Sequence, residues 1–262
     1  MFTFANLQEM GQLGNQLFRV AAVIGAARQH DTKFVLPAWP VSRHMEGFPF
    51  PLMQPSEHWE TYREPGFRFQ PIPPPAPGGT SLLGYFQSWK YFSHCLEEVR
   101  SYIGPSFQCQ VTASARFGPG IAAPHSASIH VRRGDYHTWA QKHYFHLEAS
   151  QYYKRAMREA GMSRTHWYVF SDDPEWCRQN FSAANVSIVD AGPEPYLDLV
   201  AMSLCRSNVI ANSTFSWWAA MLNSYPDARI YCPEPSNWFA GEHAVLDTTD
   251  LLPPHWVRVG AD

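Results

Sequence analysis

Cysteine is scarce in this chain of 262 residues. The five present, Cys95, Cys109, Cys177, Cys205 and Cys232, are scattered and form no C-x-x-C pair. That excludes a compact disulfide framework and a dithiol redox motif, and the odd, dispersed set fits reduced thiols in a cytosol. Charge is thin as well. Lys and Arg total 20 against 23 Asp and Glu, a formal net charge of −3. No basic field is available to recruit nucleic acid, so any anion site has to be local. No apolar run reaches the length a bilayer demands. The opening residues, Met1 to Asn6, lack the basic flank and apolar stretch of a secretory signal. The expectation is a soluble, cytoplasmic protein, open at most to peripheral association with a membrane.

What is present is apolar and aromatic. Hydrophobic residues make up 45% and aromatic residues 15% of the chain, enough to bury a substantial core and exclude a disordered protein. After Val111 the pattern is regular. Strands are expected at Ser128 to Val131, His166 to Phe170, Val186 to Val189, Asn208 to Ala211 and Arg229 to Cys232. Helices are expected at Ser150 to Ala160, Pro174 to Phe181, Tyr196 to Cys205 and Thr214 to Leu222. Such alternation marks an α/β protein with a parallel, doubly wound sheet. The first half reads less cleanly. Strands are expected at Met1 to Leu7, Thr32 to Leu36 and Ser81 to Gln87, with helices at Asn15 to Arg28 and Tyr91 to Ile103. A proline- and glycine-rich stretch from Pro37 to Thr80 reads as loops and short strands. Two α/β halves are expected, residues 1–115 and 116–262, with the tail after Pro233 able to pack back on the first.

Three strand ends in the second half carry polar clusters: His130 to Asp135, Ser171-Asp172-Asp173, and Asn212 to Ser216. In a parallel sheet they share one edge and face a common crevice. The fork of Arg132 or Arg133 suits a phosphate or carboxylate, with Arg133 able to brace Asp135 instead. Asn212, Ser213 and Thr214 are helix-capping types, Ser216 falls in the first turn, and the unpaired amides there suit an anion. Asp172 is expected as a nucleotide contact and Asp173 as a helix cap ahead of Pro174. The glycines Gly11 and Gly14 do not have dinucleotide-fingerprint spacing. They better suit close backbone approach to a ligand, with Asn15 pointing into a cleft. His137, His143 and His146 match no standard zinc spacing and have no evident cysteine or carboxylate companion, so they read as loop residues near an acceptor.

With these stretches in place, the chain resembles the α-1,2-fucosyltransferases of glycosyltransferase family eleven, in a soluble bacterial form. The resemblance rests on Gly11 to Phe18 (G-x-L-G-N-Q), His130 to Tyr136 (H-x-R-R-G-D-Y), Ser171 to Pro174, and Ile210 to Ala219 (I-A-N-S-T-F-S-W-W-A). It implies a GT-B-like architecture, two Rossmann-like halves facing a cleft, with GDP-fucose on the C-terminal half. The implied reaction is inverting transfer of L-fucose to the 2-hydroxyl of a terminal β-galactoside, without metal or other cofactor. Arg132, His130, Asp135 and Asn15 are the implied catalytic residues. Gly14, Asn15, Gln16, His130, Arg132, Asp172, Asp173 and residues Asn212, Ser213, Thr214, Phe215, Ser216 and Trp217 would hold the donor. Arg132 would bind the β-phosphate, and Asp135 is either the acceptor's base or an orienting partner for an arginine. The alternatives are another GDP-fucose transferase, making an α-1,6 or O-linked product, and a non-catalytic GDP-sugar or glycan-binding module.

Overall fold

In the computed structural model, residues 1–53, 58–161, 164–190 and 192–262 are described. Residues 54–57, part of the stretch expected to be irregular, lie outside that description, as do 162, 163 and 191. The chain divides into two compact units, Met1–Phe107 with Asp247–Pro253, and Gln108–Leu246 with Pro254–Asp262.

The first unit holds a three-stranded parallel sheet of β1 (Phe2–Thr3), β2 (Glu60–Arg63) and β3 (Thr80–Leu83), in the order β1-β3-β2. Helix α1 (Leu13–Gln29) buries Leu17, Val20, Ala21 and Ile24, the apolar face that the sequence shows, and Phe18 as well. The strand expected at Thr32 to Leu36 reduces to single bridges, Phe34 with Phe2 and Leu36 with Leu52, because Pro37 denies it a continuing ladder. The helix expected from Tyr91 opens as 3-10 turns and becomes α2 only over Leu96–Ile103. Asp247–Pro253 is tied here through Asp250, whose carboxylate pairs with Lys90 and whose carbonyl accepts from Ser88 Oγ at 2.9 Å. Only that part of the tail joins the first unit.

The second unit begins within helix α3 (Phe107–Phe117), which the sequence reading had not identified. The boundary expected at 115 falls inside this helix, and the chain changes unit at its first turn instead. Six parallel strands follow: β4 (Ser126–Val131), β5 (His166–Ser171), β6 (Val186–Val189), β7 (Ser207–Val209), β8 (Arg229–Pro233) and β9 (Val257–Val259). Between them run α4 (Tyr152–Glu159), α5 (Pro174–Asn180), α6 (Pro195–Leu204) and α7 (Thr214–Met221).

Strand order is β6-β5-β4-β7-β8-β9. The chain winds outward from β4 through β5 to β6, returns to the other side of β4, and winds outward again. The sheet is therefore doubly wound, and the direction reverses between β4 and β7. β4 is buried along its whole length, as a central parallel strand has to be. Its Ala127, Ile129 and Val131 pack with Trp167, Val169, Val209 and the α4 residues Tyr152, Ala156 and Met157. The two adjacent α4 tyrosines also fasten the sheet's carboxyl edge. Tyr152 Oη donates to Ile210 O at 2.6 Å, and Tyr153 Oη donates to His130 O at 3.0 Å. Among the described residues, no helix is long and apolar enough to cross a membrane.

Candidate active site

Register decides which residues meet. Val131 of β4 lies opposite Ser171 of β5, and Ile129 opposite Val209 of β7. Arg132, Asp172 and the segment from 210 to 216 therefore leave the sheet at the same edge, beside the point where its winding reverses. Ligands of open α/β sheets bind at such a point.

Arg132 sits there between two carboxylates. Its Nη1 is 2.8 Å from Asp172 Oδ2, and its Nη2 is 2.6 Å from Asp135 Oδ1. Its guanidinium carbon lies 5.7 Å from the Tyr136 ring centroid. Asp172 Oδ1 accepts the Arg133 backbone N–H at 2.8 Å. Asp172, expected as a nucleotide contact, thus has both oxygens engaged in holding the arginine segment. Arg133 turns away from Asp135. Its Nε donates to Asp173 Oδ2 at 2.9 Å, and its guanidinium stacks 4.5 Å over Trp176. Asp173 caps α5 by accepting from Trp176 N at 3.1 Å. The Arg133 hydrogen bond, then the capping amide, hold its carboxyl below the usual range.

His130 is buried at the end of β4, with Nδ1 2.9 Å from Ser216 Oγ in the first turn of α7. Burial lowers its pKa to about 4, so the imidazole is neutral near pH 7. Ser216 Oγ also accepts from Ala211 N at 3.2 Å. The pair therefore sets the approach of α7 to the strand. Ser213 caps α7, accepting from Phe215 N at 3.4 Å, and Phe215 lies 5.5 Å from the His130 ring.

Two expected donor contacts are structural. The Trp217 amide donates to Ser213 O at 3.0 Å. It is one residue too deep in the helix to serve an anion, so the presented amides are those before it. Asn212 is buried, and its Nδ2 donates to Phe145 O at 2.8 Å and Trp238 O at 2.9 Å. Its own carbonyl accepts from Tyr136 Oη at 2.8 Å. Asn212 thus braces loops below the site instead of reaching a ligand.

In the first unit, α1 begins at Leu13, so Gly14, Asn15 and Gln16 lie in its first turn. Gly11 has φ +69°, and a Cβ there would lie 2.2 Å from Asn15 Nδ2. Asn15 Oδ1 accepts from Gln87 Nε2 at 2.9 Å. Gln87, which closed the strand expected at Ser81 to Gln87, lies beyond β3, and the sequence reading had given it no site role. Gln16 Oε1 accepts from Trp39 Nε1 at 2.8 Å.

The three loop histidines separate. His143 stacks on His243 at 4.3 Å. His137 and His146 converge on Glu148, their ligand atoms all within 4.8 Å. Glu148 is the carboxylate companion that sequence spacing had hidden.

The family model described as Glycosyl transferase family 11 matches residues 55–257. The chain is similar to an alpha-1,2-colitosyltransferase of Escherichia coli, 31% identical over 70% of this chain and 63% of that one. A second Escherichia coli relative, the O-antigen biosynthesis glycosyltransferase WbnK, is 37% identical over 48% of this chain and 43% of its own length. The chain thus spans less than two thirds of these two relatives. A galactoside alpha-(1,2)-fucosyltransferase 1 of Saimiri boliviensis boliviensis is 26% identical over 96% of this chain and 74% of that one. Among solved structures, the alpha-1,6-fucosyltransferase NodZ superposes with TM-score 0.54 at 13% identity. The match covers 84% of this chain and 92% of that one. At that identity the likeness is one of fold, the α/β, GT-B-like class.

Proposed function

This chain belongs to glycosyl transferase family 11, and from that premise we propose its reaction. It transfers L-fucose from GDP-fucose to the 2-hydroxyl of a terminal β-galactoside, with inversion and with no metal in the chemical step. The observation that carries this reading is Arg132, held in place by Asp135 and Asp172 where the sheet's winding reverses.

As the bond from fucose to phosphate breaks, negative charge grows on the departing diphosphate. The sugar becomes oxocarbenium-like. A guanidinium and the first amides of α7 stabilise the leaving group, each charge-assisted hydrogen bond contributing about 1.5–3 kcal/mol. His130, neutral and tied to Ser216, acts as a positioning residue for α7. Asp135 serves as Arg132's orienting partner, a role its 2.6 Å ion pair favours over that of base. Gly14, Asn15 and Gln16 keep the donor-contacting role that the resemblance implies, with Asn15 held by Gln87.

Incubation with GDP-fucose and a panel of β-galactosides, with and without chelator, tests this directly. An α-1,2-linked product is expected in both conditions. An α-1,6 or O-linked product, or donor binding without transfer, would refute it. Arg132→Ala should lower turnover by about two to three orders of magnitude. The relative named alpha-1,2-colitosyltransferase favours a second reading, transfer of colitose in the same linkage. Competition between the two GDP-sugars separates them.

A further inference from the structure

The loop between β4 and α4 contains a second cluster that the proposed transfer does not use. We infer that His137, His146 and Glu148 bind one divalent transition ion of the zinc type, pinning the turn that holds Asp135 beside Arg132. His137 ends the 3-10 turn Asp135–His137. The ion would therefore brace the loop and take no part in bond cleavage.

The hydrogen-bond inventory around His146 points to a cation. Its Nε2 lies 3.1 Å from the Gln141 carbonyl, and its Nδ1 lies 3.1 Å from Glu148 Oε1. A neutral imidazole carries one N–H, and a carbonyl has no proton to offer. In the neutral ring Nε2 donates to Gln141 and Nδ1 turns its lone pair toward a carboxylate oxygen, a contact that only a second ring proton or a metal ion satisfies. His137 Nε2 is aimed at that same oxygen from 2.5 Å. One proton in the gap satisfies one of these contacts, whereas a metal ion meets all three ligand atoms together. The Gln141 carbonyl then fills the outer-shell role that orients a ligating imidazole.

Charge argues the same way. The Glu148 side chain is 5% exposed, and a carboxylate that buried calls for a compensating cation. Arg133 Nη1 is 3.8 Å away, beyond hydrogen-bond distance, and its guanidinium is already paired with Asp173. Two imidazoles and one carboxylate suit zinc and its neighbours and disfavour magnesium or calcium. Metal–ligand bonds of about 2.0–2.2 Å place tetrahedral ligand atoms about 3.3–3.6 Å apart. The spacings here run from 2.5 Å up to the 4.8 Å limit, so shifts of about 1 Å complete the set. The fourth position is open to water. His137 and His146, at 34% and 27% exposure, leave an entry path.

The test uses the full chain, stripped by chelator and desalted, then titrated with Zn²⁺ by calorimetry and with Co²⁺ by visible absorption. One Zn²⁺ per chain is expected, with a tetrahedral cobalt spectrum, a higher melting temperature when loaded, and no such response to Mg²⁺. His137→Gln, at the exposed ligand, should weaken zinc binding by at least about tenfold. Glu148→Gln should abolish it if that variant folds. Absence of binding in the parent overturns the inference, and so does unchanged affinity in His137→Gln. Nitrogen NMR of the zinc-treated protein showing both ring nitrogens of His146 protonated overturns it as well. Transfer activity is not a readout here, so failure of the proposed reaction would leave this result intact.

Discussion

Gly134 is the position where a single methyl group probes the arginine clamp. A Cβ added there would lie 2.6 Å from Asp172 Oδ2 and 3.1 Å from its Cγ. That oxygen is the one 2.8 Å from Arg132 Nη1. The other carboxylate oxygen is anchored on Arg133 N, so Asp172 cannot simply pivot without losing a partner. Gly134→Ala therefore forces the carboxylate off Arg132 or displaces the turn carrying Asp135. Loss of one charge-assisted contact corresponds to about 1.5–3 kcal/mol, or about 10- to 150-fold in kcat/KM at 1.36 kcal/mol per decade. If Arg132 acts on the leaving group as proposed, most of that loss should appear in kcat. Steady-state kinetics with varied GDP-fucose, beside a thermal melt, measures both. Asp172→Ala removes the obstructing carboxylate, so adding Gly134→Ala to it should cost nothing further. Unchanged kcat/KM in Gly134→Ala, or additive losses in the double variant, would refute the reasoning.

Two further outcomes rest on buried groups. Burial holds His130 neutral with a pKa of about 4, below the ordinary value of 6.5. The unfolded chain therefore binds the extra proton first. The stability this residue contributes is complete above about pH 6.5 and falls as pH drops toward about 4, by up to about 1.4 kcal/mol per pH unit. Urea unfolding across that window should show the slope, and His130→Gln should flatten it; an equal slope in the variant counts against the assignment. Asn212→Ala removes the side-chain donor to the Phe145 and Trp238 carbonyls and leaves Trp238 O with only the Phe145 N–H at 3.5 Å. It should destabilise the chain by about 2–4 kcal/mol in chemical unfolding, and a change under about 0.5 kcal/mol would mean that water replaces the side chain.

The sheet was legible because its strands are short apolar runs separated by helical patterns, and β6 agrees with its expected span residue for residue. Helix α3 was hidden because its apolar residues do not repeat on one face. Cys109 and Ala113 are buried, whereas Phe107 and Val111 are exposed. Convergence of three strand ends followed from parallel pairing alone. The partners within the cluster did not follow, since strand alternation places neighbouring side chains on opposite faces only while the strand lasts. β4 ends at Val131, and the 3-10 turn from Asp135 brings that carboxylate back to Arg132, three residues earlier. Arg133, expected to brace Asp135, is left to Asp173. Glu148 was missed for a related reason. Its two histidines are eleven and two residues away, and only the loop's path unites them.

The same clamp bears on how the proposed anionic donor would arrive. Arg132 and Arg133 face Asp135, Asp172 and Asp173 across this edge, and the whole chain carries a formal charge of −3. The site thus has no excess of positive charge to draw a diphosphate from a distance. Its attraction comes from oriented donors at contact range, which are screened far less than separated surface charges. Affinity for GDP should accordingly change by less than about threefold between low salt and about 0.15 M ionic strength, where the screening length is about 8 Å. Calorimetric titration of GDP over that range measures it. A fall of more than about tenfold would mean that long-range attraction by basic side chains elsewhere dominates, and Arg132 would lose its place as the principal phosphate contact.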